Sequence, residues 1–176
     1  MDSLLIIVPL WAASFYLRML SGKRSTENER RLRAEGATEY GSRTTAVIIV
    51  LHLAYYLGSL VEACIRRPTP GLLTVIGVIL MAFSMMSLYW VIRSLGPLWT
   101  GKLFIARQHT INRSWLFRHV RHPNYVLNVI PELIALTLIC HAWVVGAVLF
   151  PAYMVCLALR IGQEERAMAA LPGWCK

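Results

Sequence analysis

Charged residues are scarce in this 176-residue chain: Asp, Glu, Lys and Arg together make up 15%, whereas a typical soluble domain carries about 25%. Hydrophobic residues make up 57%, and the mean hydropathy is +0.54. So few polar groups cannot cover the surface of a water-soluble globular enzyme, and so apolar a chain is not disordered. The composition predicts an integral membrane protein.

Several motifs of soluble enzymes and metal sites are also missing. None of the 11 glycines occurs as G-x-G, and there is no G-K-[ST], H-E-x-x-H or G-x-S-x-G, which excludes the common nucleotide-binding and hydrolase signatures. The four cysteines include no C-x-x-C pair, so we expect no metal site and no disulfide framework. The net charge is +9, but the basic residues form no stripe interleaved with stacking aromatics, so we expect no nucleic-acid partner.

Five apolar stretches are each close to the about 20 residues that a membrane-spanning helix needs. They cover residues 3–20, 44–65, 71–92, 124–141 and 143–161. Only His141 and Ala142 separate the last two, which predicts a tight hairpin, and Pro131 and Pro151 should kink these two spans. The sequence thus predicts an all-α integral membrane protein, a single domain over 1–176 with five transmembrane helices and a C-terminal helical hairpin.

Lys and Arg are distributed unevenly between the connecting segments. Segments 18–43 and 93–123 and the C-terminal tail carry all of the 18 basic residues except Arg66 and Arg67. Because basic loops remain in the cytoplasm, this bias predicts an N-terminus outside, with both long loops and the C-terminus in the cytoplasm. The basic segments would also contact anionic membrane lipids.

Among the ionisable residues within the predicted spans, the functional candidates are His52, Glu62 and Glu132. Ionisable groups inside a membrane are costly and usually mark function. Glu132 ends a series at helical intervals of four, three and four, which would form one stripe from the cytoplasmic surface into the bilayer. The series consists of Arg121, Tyr125, Asn128 and Glu132. Hydrogen bonding between helices, with no catalytic role, is the alternative for all of these groups.

Charged residues also stand at the cytoplasmic ends of the predicted hairpin. They are Arg121 and His122 before the fourth span, and Arg160, Glu164 and Glu165 at the end of the fifth. Cations at a helix N-terminus suit an anionic group, and paired carboxylates suit an ammonium group. The arrangement predicts a cytoplasmic pocket for a zwitterionic ligand. An interfacial anchor, and a surface ion pair between Arg160 and Glu164, are the alternatives.

The pattern R-H-P-x-Y at 121–125, followed after a helical hairpin by R-x-x-x-E-E at 160–165, resembles the integral-membrane isoprenylcysteine carboxyl methyltransferase family. The resemblance extends over about 90–165, and it includes bacterial members, which implies a bacterial inner membrane. It further implies that S-adenosylmethionine is the methyl donor and that the cofactor-binding part covers about 90–176.

The resemblance also implies roles for single residues. The cofactor-binding candidates are His109, Arg121, His122, Tyr125, Glu164 and Glu165, with Arg160 in the same C-terminal motif. An arginine can hold the methionyl carboxylate, a glutamate the ammonium group, and the Tyr125 ring the sulfonium. Near His109, Trp115-Leu116-Phe117 stands where family members often have G-P-Y, so the turn there must differ.

Two classes of lipophilic or lipidated acceptor remain open. A prenylcysteine-like carboxylate would be positioned by an arginine, for which Arg160 is the candidate. A long-chain phenol or pyrone, which the resemblance to some bacterial members implies, would be helped by a base, for which Glu132 is the candidate. The competing functions are an NADPH-dependent membrane lipid reductase of related fold and a non-catalytic transporter or assembly subunit, although no internal repeat typical of transporters is present.

Overall fold

The computed structural model describes residues 3–105 and 120–169, which are mostly helical. Four helices in this part of the chain are long and apolar enough to span a membrane; they are α1 (Leu4–Ala34), α2 (Ser42–Arg66), α3 (Leu72–Leu95) and α5 (Trp143–Ala169). A shorter apolar helix covers Asn124–Cys140. It begins as a π-helical segment, Asn124–Val129, and continues as α4, Ile130–Cys140. The prediction of an all-α, multi-pass membrane protein is confirmed.

Polar and apolar side chains are distributed as in a membrane protein. Large apolar side chains are exposed on the outer faces of the helices, among them Ile65, Leu72 and Ile79. Buried positions include polar and charged residues such as Asn128 and Glu132, both 0% exposed. Outward apolar surface suits contact with acyl chains, whereas buried polar groups must find partners within the protein.

α4 lies at the centre of the bundle. Most of its side chains are buried, including Leu133, Leu136 and Ile139, whereas Ile134 is exposed. Gly77 of α3 permits the close approach of these two helices, because a Cβ atom added there would lie 2.9 Å from Ile139 Cγ1 and 3.0 Å from the Ile139 backbone nitrogen. The shortest apolar helix therefore forms the core, and the longer helices surround it.

α4 and α5 form the predicted hairpin. His141 ends α4 in a left-handed conformation, with φ 50°, and α5 begins two residues later. Pro131 stands in the first turn of α4, directly after the π-helical segment. Proline removes an N–H group and crowds the preceding turn. The distortion expected at Pro131 is therefore found here as a widened π-helical turn.

Glu62 stabilises the beginning of α5. Its carboxylate accepts hydrogen bonds from the backbone nitrogens of Val144 (3.1 Å) and Val145 (3.0 Å), and Arg66 Nε donates to it at 2.7 Å. A carboxylate at a helix N-terminus satisfies free N–H groups and complements the helix dipole. For Glu62, the structure thus shows the role of hydrogen bonding between helices.

α1 extends further than the sequence suggested. The apolar stretch 3–20 continues without a break to Ala34, so residues 21–34 are helical rather than part of a loop. One face of this extension is buried, through Ser21, Ser25, Glu29 and Leu32. The Gly101 nitrogen donates to Ser25 Oγ at 2.9 Å, and Lys102 Nζ lies 2.8 Å from Glu29 Oε2. Contacts with the segment after α3 therefore keep the polar extension helical.

Two three-residue strands, β1 (Thr38–Tyr40) and β2 (Leu103–Ile105), form an antiparallel ladder. Neither was predicted, because three residues are too few for an alternating pattern to be recognised. The ladder joins the segments that follow α1 and α3. We refer to this end of the bundle, where α1, α3 and α5 terminate, as the basic end, and to the opposite end, which contains His141, as the hairpin end.

Candidate active site

A cavity of about 100 Å³ lies at the basic end. Five of the site residues predicted from the two sequence motifs line it, namely Arg121, His122, Tyr125, Arg160 and Glu164. Trp99, Lys102 and Asn124 complete much of the wall. The turn of the hairpin returns α5 to the beginning of the π-helical segment, which brings together motifs that lie about 40 residues apart in the chain.

His122 lies between two carboxylates. Its Nδ1 is 3.7 Å from Glu164 Oε2, and its Nε2 is 3.6 Å from Glu165 Oε1. Tyr125 donates its hydroxyl to Glu164 Oε2 at 3.0 Å, and its ring stacks on the imidazole with centroids 5.8 Å apart. The carboxylate of Glu164, with a smaller contribution from Glu165, holds the pKa of His122 above its ordinary value despite partial burial. The two glutamates thus favour the protonated form of His122.

The two arginines at the cavity are held differently. Arg160 is only 3% exposed, and its Nη1 donates to Thr45 Oγ1 at 2.7 Å and to the Tyr40 carbonyl oxygen at 3.5 Å. β1 and the beginning of α2 therefore hold Arg160, whereas Glu164 interacts with His122 and Tyr125 rather than forming the surface pair considered from the sequence. Arg121 is exposed, so its guanidinium is accessible to a ligand.

Glu132 lies deeper in the bundle and is completely buried. Arg18 of α1 pairs with both of its carboxylate oxygens; Nε donates to Oε1 at 2.9 Å and Nη2 pairs with Oε2. Tyr56 of α2 donates its hydroxyl to Oε1 at 2.5 Å. His52 Nε2 is 3.6 Å from the same oxygen, and His52 Nδ1 is 3.2 Å from the Tyr153 hydroxyl on α5. We call these five residues the buried polar centre.

Hydrogen bonds connect the cavity with the buried polar centre. Asn124 lines the cavity, and its Oδ1 accepts a hydrogen bond from Asn128 Nδ2 at 3.0 Å. Asn128 Oδ1 in turn accepts from Arg18 Nη2 at 3.1 Å and from Ser84 Oγ at 3.0 Å. Glu132 follows Asn124 by eight residues, about 12 Å along a helix. The two sites are therefore neighbouring parts of one region.

Arg18 is the residue that sequence reasoning missed, because it was counted among the basic residues of segment 18–43. The structure places it within α1, with its side chain 15% exposed and paired with Glu132. A signal was present, because a carboxylate inside a membrane needs a partner and Arg18 is the one cation within the predicted span 3–20.

Two further sequence-based expectations concern the same region. His109 and Trp115-Leu116-Phe117 lie outside the described residues, so their roles stay predictions. Within residues 3–105 and 120–169, no group of three or more His, Cys, Asp or Glu side chains is arranged to hold a metal ion.

Comparison with known proteins identifies the family. A sequence model of the isoprenylcysteine carboxyl methyltransferase (ICMT) family matches residues 75–170, which include α3, the hairpin and both motifs. The chain belongs to this family. The family consists of membrane methyltransferases, in agreement with the resemblance drawn from the two motifs, and the chain is a membrane methyltransferase on this basis.

Two bacterial proteins are similar to most of the chain. An uncharacterized protein of Haemophilus influenzae is 40% identical over 168 residues, which cover 96% of this chain and 98% of that protein. The uncharacterized protein YpbQ of Bacillus subtilis is 27% identical over 144 residues, 81% of this chain and 84% of that protein. No solved structure matches the chain.

Proposed function

We propose that this methyltransferase transfers the methyl group of S-adenosylmethionine to an oxygen atom of a lipophilic acceptor in the membrane. The observation that carries the proposal is the cavity at the basic end, where groups of opposite charge line one wall. Arg121 and Arg160 can each meet a carboxylate, and Glu164 Oε2 lies 3.7 Å from His122 Nδ1. Such a pairing of charges suits the zwitterionic amino-acid end of the donor.

The residues at the cavity can bind this end of the donor in one orientation. Arg121 is exposed and can take the methionyl carboxylate, while Glu164 and Glu165 can exchange His122 for the donor's ammonium group. The Tyr125 ring, fixed by its hydrogen bond to Glu164, can lie against the sulfonium. A cavity of about 100 Å³ matches the amino-acid end rather than the whole donor.

The acceptor side of the reaction is assigned to the residues deeper in the bundle. Arg160, buried beside the cavity, is the candidate to position an acceptor carboxylate, and Glu132 is the candidate to act on an acceptor hydroxyl. Apolar outer faces allow a lipid-like acceptor to approach from the bilayer. Methyl transfer then requires alignment of the reacting atoms at about 3–3.5 Å and exclusion of water.

We further propose that the basic end faces the cytoplasm, where the water-soluble donor is found. The distribution of Lys and Arg supports this orientation, and the α1 extension adds Lys23, Arg24 and Arg30 at that end. A reporter enzyme that is active only outside the inner membrane should be inactive when fused after Lys176 and active when fused before Met1.

Equilibrium binding of labelled S-adenosylmethionine to the detergent-purified chain tests the proposal. Wild type should bind saturably, and Arg121→Ala should bind about 10- to 150-fold more weakly, because a hydrogen bond to a charged group contributes about 1.5–3 kcal/mol. Arg166→Ala is the matched control, because Arg166 is exposed and its Nε donates to the Gly162 carbonyl oxygen of its own helix, at 3.2 Å.

Two outcomes would contradict the proposal. One is a well-folded wild type that shows no saturable binding of the donor; the other is Arg121→Ala protein with wild-type affinity. Saturable binding of NADPH in place of S-adenosylmethionine would favour the lipid reductase instead. Binding of neither, together with transport of a substrate or loss of a partner complex on deletion, would favour the non-catalytic alternative.

A further inference from the structure

One side of the cavity at the basic end is formed by a short irregular stretch of chain. Residues 99–102 connect the 3₁₀-helical turn Gly96–Leu98 with β2, and all four line the cavity. We call them the connecting segment. Trp99 anchors its first position, because the side chain is 4% exposed and packs with Val91 and Ile92 of α3. The backbone that follows belongs to no helix or ladder, so its polar groups must find partners elsewhere.

The extension of α1 provides such partners. Asn28 Nδ2 donates to the Trp99 carbonyl oxygen at 2.8 Å and to the Gly96 carbonyl oxygen at 3.2 Å. One amide group thus ties both ends of the turn to α1. Three residues earlier on the helix, Ser25 Oγ accepts a hydrogen bond from the Gly101 nitrogen at 2.9 Å. The α1 extension therefore restrains the connecting segment at more than one position.

Glu29 fixes the charge that the connecting segment carries. Its Oε2 lies 2.8 Å from Lys102 Nζ, and its Oε1 accepts a hydrogen bond from Ser25 Oγ at 2.8 Å. Because Glu29 is only 8% exposed, the attraction between the two charges is screened less than at an open surface. The ammonium group of Lys102 is thereby held in one place beside the cavity.

We propose that Asn28, supported by Ser25 and Glu29, is a positioning residue for S-adenosylmethionine, because it holds the connecting segment in the conformation that receives the donor. The inference rests on the donor site proposed above and extends that site to α1. Among the described residues, these three do not themselves line the cavity, so they act on the donor through the connecting segment.

Order in the connecting segment before the donor arrives increases the affinity for the donor. Fixing the backbone of a residue costs conformational entropy, and binding does not bear that cost when the free protein already holds the segment in place. The turn before the segment restrains it weakly by itself. Gly96 has a φ of 52°, in the left-handed region, and the hydrogen bond within the turn, from the Trp99 nitrogen to the Gly96 carbonyl oxygen, is long at 3.3 Å. The turn therefore depends on donors outside itself, of which Asn28 supplies two hydrogen bonds.

The test compares two substitutions of Asn28 with a control on the same helix. Asn28→Asp keeps the size of the side chain but replaces the amide donor by a carboxylate, which repels both carbonyl oxygens. Asn28→Gln keeps the amide and lengthens the side chain by one methylene group. Thr26→Asp is the control for the added charge, because Thr26 is exposed and its Oγ1 donates to the Gly22 carbonyl oxygen of its own helix, at 3.1 Å.

Two quantities are measured on each full-length protein in detergent. The first is the equilibrium affinity for labelled S-adenosylmethionine. Asn28→Asp should bind the donor about 5- to 100-fold more weakly than wild type, from the loss of two hydrogen bonds, and the affinity of Asn28→Gln should lie between those of Asn28→Asp and wild type. Thr26→Asp should bind within about twofold of wild type.

The second quantity is backbone hydrogen exchange in the absence of the donor. In Asn28→Asp, exchange should be faster than in wild type at residues 96–102 and unchanged in α4 and α5, because only the local restraint is lost. A role of Asn28 in packing alone predicts the opposite order of donor affinities, since aspartate matches asparagine in size and glutamine does not. General destabilisation predicts faster exchange throughout the bundle.

Failure of this inference can be distinguished from failure of the proposed function. If wild type does not bind the donor, the proposed function is wrong and the positioning role is wrong with it. The positioning role alone is overturned, while the donor site stands, if wild type binds the donor and Asn28→Asp binds it equally well. The same conclusion follows if Asn28→Gln binds more weakly than Asn28→Asp, if Thr26→Asp loses as much affinity as Asn28→Asp, or if exchange rises throughout the bundle.

Discussion

The ion pair between Arg18 and Glu132 gives the sharpest prediction about stability. Both charges are removed from water, and Glu132 is completely enclosed. Replacing one partner leaves the other charged and unpaired inside the bundle, which costs about 3–5 kcal/mol. We therefore expect Arg18→Met and Glu132→Gln each to shift the unfolding equilibrium by about 10²- to 10⁴-fold.

The double variant Arg18→Met/Glu132→Gln should lose far less stability than the sum of the two single variants. Because the second substitution removes the group that the first left unpaired, the coupling free energy should be about 3 kcal/mol or more. The quantity is measured by reversible unfolding of the detergent-solubilised protein on addition of a denaturing detergent, with the four proteins of the cycle in parallel.

An exposed pair provides the control cycle. Arg31 and Glu35 stand four residues apart on the α1 extension, with Arg31 Nε 3.5 Å from Glu35 Oε1 and side chains 47% and 57% exposed. Such a pair contributes only about 0.3–0.5 kcal/mol. If the Arg18 and Glu132 substitutions proved additive, like those of this exposed pair, the conclusion that the two form a closed neutral unit would be refuted.

Three further predictions concern packing, pH and the hairpin. Gly77→Ala should destabilise the protein by about 1–3 kcal/mol, because its Cβ would enter α4, whereas Gly22→Ala, with nothing within 4 Å, should stabilise by about 0.5–1 kcal/mol; thermal unfolding of both variants checks the contrast. Glu164 raises the pKa of His122 in the folded protein. The stabilisation from the protonated His122 is therefore complete below pH ~6.5 and is lost as the pH rises through the higher folded-state pKa. The difference in unfolding temperature between wild type and His122→Gln should accordingly shrink toward alkaline pH. Glu62→Ala should cost about 1–3 kcal/mol through the backbone N–H groups that it leaves unpaired, and slower hydrogen exchange at the beginning of α5 in that variant than in wild type would contradict this role.

Apolar length was enough to predict most of the helices. Four of the five predicted stretches correspond to long helices, and the uninterrupted apolar run 71–92 lies wholly within one helix except at its first residue. The short connection through His141 and Ala142 also predicted the hairpin. These features depend on local sequence, because a membrane-spanning helix must satisfy its own backbone hydrogen bonds.

Features that depend on contacts between residues distant in the chain could not be predicted from local sequence. The helical state of residues 21–34 depends on packing against the segment after α3, and the β1–β2 ladder pairs residues that lie more than 60 positions apart. At the candidate site, motif spacing indicated which groups stand at the two helix ends, but the pairing of Arg18 with Glu132 bridges 114 positions. No periodicity of polar and apolar residues in the sequence indicates such a pairing.

The separation of Arg18 and Glu132 along the chain has a consequence for synthesis and membrane insertion. Translation proceeds at about 5–20 residues per second, so Glu132, 114 residues after Arg18, leaves the ribosome roughly 6–23 s later. During this interval α1 must reside in the membrane with an uncompensated cation, whose long side chain can reach the headgroup region. Pairing with Glu132 of α4 then neutralises Arg18, and α5, which contributes Tyr153, completes the buried polar centre.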